Sequence, residues 1–189
     1  MLLYPACIEV LVDDDNSGDL KAVEKKKLAP FHLADTGKEQ TVDHAGQIVF
    51  QEINADQIKS QLKLGKKTWI YVWGSWCTPC RKRLPLIAQI HRDNPDWNIV
   101  PVADDYVIST LQKLLYTSRL SVQPYILDYR RYGNNTHEKI RKLWEELTPG
   151  PEFTLAFPQN YLYDADGRLL YYGTGRIPDD LMQQYFVLK

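Results

Sequence analysis

The chain has 189 residues, 44% of them hydrophobic, enough to bury a full core and consistent with one domain carrying an insertion. A net charge of -1 and a pI near 6.4 give no basis for nucleic acid or an anionic membrane surface as partner. Three cysteines, Cys7, Cys77 and Cys80, exclude a disulfide scaffold and leave a close pair, the pattern of a catalytic dithiol.

Other classes fall away on spacing. His32, His44, His91 and His137 show no ligand spacing, so no metal and no other cofactor is expected. No apolar run approaches the roughly 20 residues of a membrane span. The start, from Met1 to Cys7, lacks the basic region and long apolar stretch of a signal peptide. Ala6 before Cys7, with leucines upstream, resembles the end of a bacterial lipoprotein signal, which would make Cys7 a lipid anchor. The other reading is a strand cysteine, since Ile8, Val10 and Val12 alternate with Glu9 and Leu11.

Along the chain, Asp13 to Asp19 reads as an acidic loop and Glu24-Lys25-Lys26-Lys27 as a solvated approach to the domain. Residues 29–33 predict a short strand running into a turn at Asp35-Thr36-Gly37-Lys38, and 47–50 another strand. Asn54 or Asp56 can cap a helix through Ile58 and Leu62, ended by Gly65. A buried strand over about 68–73 precedes a helix reaching about 92, where Asn94-Pro95 stops it. Residues 97–102 form the next strand, completing a strand–helix–strand unit whose parallel strands require a buried sheet. Asp104-Asp105 leads into a helix bearing Val107, Leu111, Leu114 and Leu115, and 121–129 reads as extended. Thr136 or Asn135 caps a charged helix stopped by Pro149-Gly150-Pro151. Two strands joined by Asp164-Ala165-Asp166-Gly167 form a hairpin, and Pro178-Asp179-Asp180 opens a last helix.

The stretch Trp73-Gly74-Ser75-Trp76-Cys77-Thr78-Pro79-Cys80 lies where the central strand turns into its helix. Unpaired N–H groups and the positive end of the helix dipole stabilise a thiolate there. The first cysteine is expected to cap the helix and meet solvent. The second lies one turn inward, close enough to bridge back.

This motif, with Pro85 five residues after Cys80, resembles the thioredoxin-like fold of the AhpC/TSA-related superfamily. Within it the likeness is to the TlpA/ResA-type thiol–disulfide oxidoreductases of bacterial cell envelopes. Ala29-Pro30-Phe31, Leu33 and Gly37-Lys38 look like that family's opening hairpin. Phe157-Pro158 and Asp164-Ala165-Asp166-Gly167-Arg168 look like its cis-proline and closing hairpin. The resemblance implies a three-layer α/β fold: a central mixed sheet flanked by helices in a domain over 29–189. It also implies an N-terminal extension over 1–28 and an insertion over about 104–157, before the cis-proline.

By the same resemblance Cys77 is the attacking nucleophile and Cys80 the resolving thiol. Trp76, Thr78, Pro79, Phe157 and Pro158 shape the site and bind substrate, with Pro158 in cis facing the pair. Trp73 is read as packing. Pro79 resembles reducing members of the family. Implied partners are protein thiols and disulfides and an upstream, membrane-bound thiol donor. The implied location is the periplasm or cell envelope of a Gram-negative-type bacterium. Two positions depart from the family: Tyr71 stands where thioredoxins place a buried Asp, and Arg83 where ResA-type proteins carry a Glu. Arg81-Lys82-Arg83 either lowers the Cys77 pKa or is a solvated helix face. The Tyr- and Arg-rich segment 123–133 is either extra structure packed on the sheet or a partner-selecting surface. A peroxiredoxin-like peroxidase would need Thr at position 74, where Gly stands. A non-catalytic binding module or a metallochaperone would be favoured by loss of a cysteine, yet both are present.

Overall fold

Where apolar residues run without alternation, a strand must be covered on both faces, and two such runs become the centre of the sheet. A computed structural model describes residues 28–43, 45–148 and 152–188. The strands are β1 (Leu28–Ala29), β2 (Phe50–Ile53), β3 (Lys67–Trp73), β4 (Trp97–Ala103), β5 (Tyr125–Leu127), β6 (Gln159–Tyr163) and β7 (Leu169–Thr174). They form one sheet in the order β1-β2-β5-β4-β3-β6-β7. The first five strands in that order are mutually parallel, β6 runs antiparallel to β3, and β7 antiparallel to β6. The mixed sheet expected from the resemblance is therefore present.

Among the described residues six helices cover it: α1 (Ala55–Leu62), α2 (Thr78–Asp93), α3 (Ile108–Ser118), α4 (Tyr129–Tyr132), α5 (Thr136–Leu147) and α6 (Asp179–Tyr185). The pleat of β3 divides the core. Trp69, Tyr71 and Trp73 pack with Leu84 and Ile87 of α2, Leu111 and Leu115 of α3, and Met182 of α6. Ile70 and Val72 face the other way, onto Ile58 of α1 and Ile140 and Leu143 of α5. Three layers result.

Local chemistry sets the element ends as expected in most places. Asn54 caps α1 in a reciprocal capping box with Gln57, and Gly65 follows the helix at φ 71°. Asn135, one of the two candidates, caps α5. Asp164 closes the β6–β7 turn by accepting from the N–H groups of Asp166 (2.9 Å) and Arg168 (2.8 Å).

Three elements differ from the sequence expectation. The second strand is Phe50–Ile53 rather than 47–50, because pairing with β5 begins at Gln51, while Ile48 makes only an isolated bridge with Val42. The first strand is Leu28–Ala29, and Leu33–Asp35 is a single 3-10 turn. The stretch 121–129 is extended only over Tyr125–Leu127, after which Asp128 caps the short helix α4. Several expectations lie outside the described residues. These are the lipid anchor or strand at Cys7, the acidic loop and charged run before Leu28, and the stop at Pro149-Gly150-Pro151. No helix among the described residues is long and apolar enough to cross a membrane.

Candidate active site

Cys77 is the N-cap of α2, with extended backbone, and its Sγ accepts the N–H of Cys80 at 3.2 Å. The two sulfurs form a disulfide across a Cα separation of 5.2 Å. Both are enclosed, Cys77 more than expected. Cys80 has no exposure, and Cys77, expected to meet solvent, is only 4% exposed. The reason is lateral packing: both cysteines belong to the apolar cluster onto which Trp76 and Phe157 fold.

Those two rings meet edge-to-face, with centroids 4.8 Å apart. A Cβ at position 74 would fall 2.5 Å from the indole Nε1 of Trp76, so Gly74 is what lets that ring lie over the loop. The threonine a peroxidase needs there would clash with it. Thr78 and Pro79 are exposed on the first turn of α2, Thr78 accepting from Arg81 at 3.0 Å. Trp73 has no exposure and packs in the core.

Phe157-Pro158 is cis, as expected. Val72 pairs with Gln159, so Pro158 stands level with Trp73, four residues before Cys77. The Pro158 carbonyl accepts the Gly175 N–H at 2.7 Å. The structure thus brings Trp76, Cys77, Cys80, Phe157 and Pro158 to one end of β3, with Thr78 and Pro79 at the rim.

At the positions that depart from the family, Tyr71 is fully buried and its hydroxyl donates to the Cys80 carbonyl at 3.0 Å. Burial pushes its pKa upward, against the charge of Arg83, so it stays a phenol. Arg83 is half-buried, and desolvation lowers its pKa, with Arg176 adding repulsion.

Sequence reasoning missed the groups that hold the loop between β3 and α2. Asp105, 5% exposed, accepts from the Ser75 N–H (2.6 Å), the Ser75 hydroxyl (3.1 Å) and the Val107 N–H (3.1 Å). Beside it the Asp104 N–H donates to the Trp73 carbonyl at 2.7 Å, tying the ends of β4 and β3. The Asp104 carboxylate accepts from Thr136 at 3.0 Å and lies 3.1 Å from Lys139 Nζ. Lys139 also donates to the Asp104 carbonyl, and its ammonium sits 4.9 Å from the Tyr106 ring centroid. Both charges are 1% exposed, and burial lifts the Asp104 pKa even beside Lys139. The paired acids at the end of an apolar strand were a signal. Nothing in the sequence linked them to Ser75 or Lys139.

The Tyr- and Arg-rich segment is committed internally. Arg130 pairs with Glu52 (2.7 Å) and Asp128 (3.1 Å), and Arg131 with Asp56 (2.6 Å) and Glu146 (2.9 Å). Tyr132 donates to Glu146 and accepts from the Ala55 N–H. Of the two readings, packing against the sheet is the one these contacts support.

A sheet of this order, a Cys-x-x-Cys pair capping the helix after its central strand and a cis-proline level with that strand define a protein of the thioredoxin class. Comparison with known proteins refines this. No protein-family profile matches the chain. The thiol-disulfide oxidoreductase ResA of Bacillus cereus (strain ZK / E33L) is 22% identical over 138 residues, 73% of this chain and 72% of that protein. ResA of Bacillus subtilis (strain 168) is 22% identical over 160 residues, 84% of this chain and 82% of its own. A thioredoxin-family thiol:disulfide interchange protein from Chlorobium tepidum TLS superposes with a TM-score of 0.51 at 16% identity, covering 67% of this chain and 80% of that one. The thioredoxin domain of a thiol-disulfide oxidoreductase from Bacteroides vulgatus gives 0.50 at 18% identity, covering 79% and 94%. The superpositions show the fold. The sequence relatives are thiol-disulfide oxidoreductases of the ResA type, and it is to these that the chain is similar.

Proposed function

We propose that the chain reduces disulfides in proteins of the bacterial cell envelope through the Cys77/Cys80 dithiol. The observation that carries this is the Cys77 sulfur at the N-cap of α2, accepting the Cys80 N–H beside a second sulfur within bonding reach. That position favours negative charge on Cys77. In the reduced protein the Cys77 thiolate attacks one sulfur of a substrate disulfide, forming a mixed disulfide and releasing the other substrate sulfur as thiolate. Cys80 then attacks Cys77, giving its proton to solvent or to the leaving substrate thiolate, and the second substrate sulfur departs. Two electrons pass to substrate, and the Cys77–Cys80 disulfide remains to be reduced by an upstream thiol donor.

Trp76, Phe157 and Pro158 form the surface beside the attacking sulfur, and Thr78 and Pro79 its rim. The domain over 29–189 carries the activity, with 1–28 as an extension and 104–157 as an elaboration. The reducing direction rests on Pro79, and the envelope location and membrane-bound donor on the ResA-type resemblance. A Gram-negative-type envelope belongs to the same proposal, with Cys7 either a strand cysteine or a lipid anchor.

The test is insulin reduction under a thiol donor. Turnover should be lost in Cys77→Ser, while Cys80→Ser should accumulate mixed disulfides. Absence of turnover in the unmodified protein would leave a binding module instead. The pair's reduction potential decides direction: a value near about -270 mV fits a reductant, one near about -120 mV an oxidant.

A further inference from the structure

Further along α2 from the redox pair lies a basic groove. Lys82 and Arg83 on α2 and Arg176 after β7 rim a cleft of roughly 280 Å³ floored by Leu86, Ile177 and Met182. One acid, Asp179, lines it, and Arg176 already pairs with that acid. The cleft therefore carries an excess of positive charge over an apolar floor. Arg83 makes no hydrogen bond or ion pair among the described residues. It is half-buried and faces the like charge of Arg176, and the nearby acid, Asp179, is shared with Arg176.

The walls are fixed before any ligand arrives. Gly175, preceding Arg176, donates its N–H to Pro158 (2.7 Å), and its carbonyl accepts from Asn160 Nδ2 (3.0 Å). The tail beyond α6 is clamped to the end of α2, Asn94 exchanging bonds of 3.1 and 2.7 Å with Val187. One end of the groove thus adjoins the cis-proline and the other runs along α2. Lys82 is five residues past Cys77 and Leu86 nine, so the groove spans about 8–14 Å from the sulfur's turn at about 1.5 Å per helical residue. An extended peptide covers that distance in about two to four residues.

We propose that the groove receives an acidic and apolar extended segment of the substrate polypeptide, two to four residues from the cysteine that Cys77 attacks. This rests on the disulfide-reductase reading above. It makes acidic sequence beside the target disulfide the feature that the chain selects.

The test uses the full chain with dithiothreitol as electron source, and peptides sharing one internal disulfide flanked by Glu-Leu-Glu, Ser-Leu-Ser or Lys-Leu-Lys. The rate above dithiothreitol alone is read as kcat/KM. The Glu-flanked peptide should be reduced about tenfold faster than the Lys-flanked one at low salt, converging at high salt. Arg176 is 66% exposed, so Arg176→Glu tests the charge without touching the core, and exposed Lys82→Glu is the second variant. Each should abolish or invert the preference, read as a ratio within each variant so that changes in overall rate cancel. Equal rates for the three peptides, or a Glu preference that survives both substitutions, overturn the groove while the reductase reading stands. No turnover of any peptide removes both.

Discussion

Replacing Asp105 with Ala tests whether the loop before Cys77 is held by this one carboxylate. The change deletes three hydrogen bonds to a charged acceptor and leaves the Ser75 N–H and hydroxyl enclosed without a partner. Val107 is 42% exposed, so water can replace its bond. With about 1–3 kcal/mol for each of the two enclosed groups left unpaired, the loss should be about 2–6 kcal/mol. Asp105→Asn keeps one acceptor oxygen and should fall between, at about 1–2 kcal/mol. Urea unfolding of the oxidised protein measures both. Because Ser75 is two residues from Cys77, the insulin rate should fall by about tenfold or more in Asp105→Ala as the sulfur loses its set position. An unfolding free energy within about 0.5 kcal/mol of wild type would refute the hydrogen-bond argument. Lost stability with an unchanged rate would refute the positioning argument.

Lys139→Met leaves Asp104 as an uncompensated buried charge and should cost about 3–5 kcal/mol. Pairing it with Asp104→Leu should recover most of that loss, as a urea double-mutant cycle would show. Gly74→Ala places a Cβ 2.5 Å from the Trp76 Nε1. It should displace the indole from Phe157, costing about 0.5–1.5 kcal/mol and altering the near-UV circular dichroism. His91 is half-buried, and burial, helped by the charge of Arg92 and opposed by Glu39, lowers its pKa from 6.5. As pH falls through 6.5 the unfolded chain takes up the proton first, so stability is full above that value and drops below it. Thermal unfolding of His91→Gln should therefore change less than wild type on acidification from about pH 7.5 to 5.

What the sequence revealed was local. The cap at Cys77, the capping box at Asn54, the turn after Asp164 and the placement of Phe157-Pro158 are each specified by residues within a few positions of one another. The misplaced strand 47–50 shows the limit. A strand paired in parallel inside a sheet shows no alternation, and its register comes from β5, about 74 residues further on. The Ser75–Asp105 contact spans 30 residues and the Asp104–Lys139 contact 35, so neither leaves a mark in spacing. The sequence leaves the arginines of α4 open between packing and a surface because their partners, Glu52, Asp56 and Glu146, lie on other elements.

The two replaced acids bear on which sulfur attacks first. Cys80 is without exposure and lies one turn inside α2, away from the N-cap. Its nearest polar neighbour by hydrogen bond, Tyr71, offers a proton to the Cys80 carbonyl and stays protonated. No hydrogen bond joins a carboxylate to Tyr71 or Cys80 among the described residues. Cys77 has the opposite setting: its sulfur receives the N–H at the positive end of a 16-residue helix. The difference in thiolate character therefore comes from position on α2, with no buried acid needed to create it. In the proposed mechanism Cys77 is the thiolate of the reduced pair, and Cys80 reacts only when the mixed disulfide has formed beside it. The pH dependence of alkylation should then show one low-pKa thiol, lost in Cys77→Ser and retained in Tyr71→Phe.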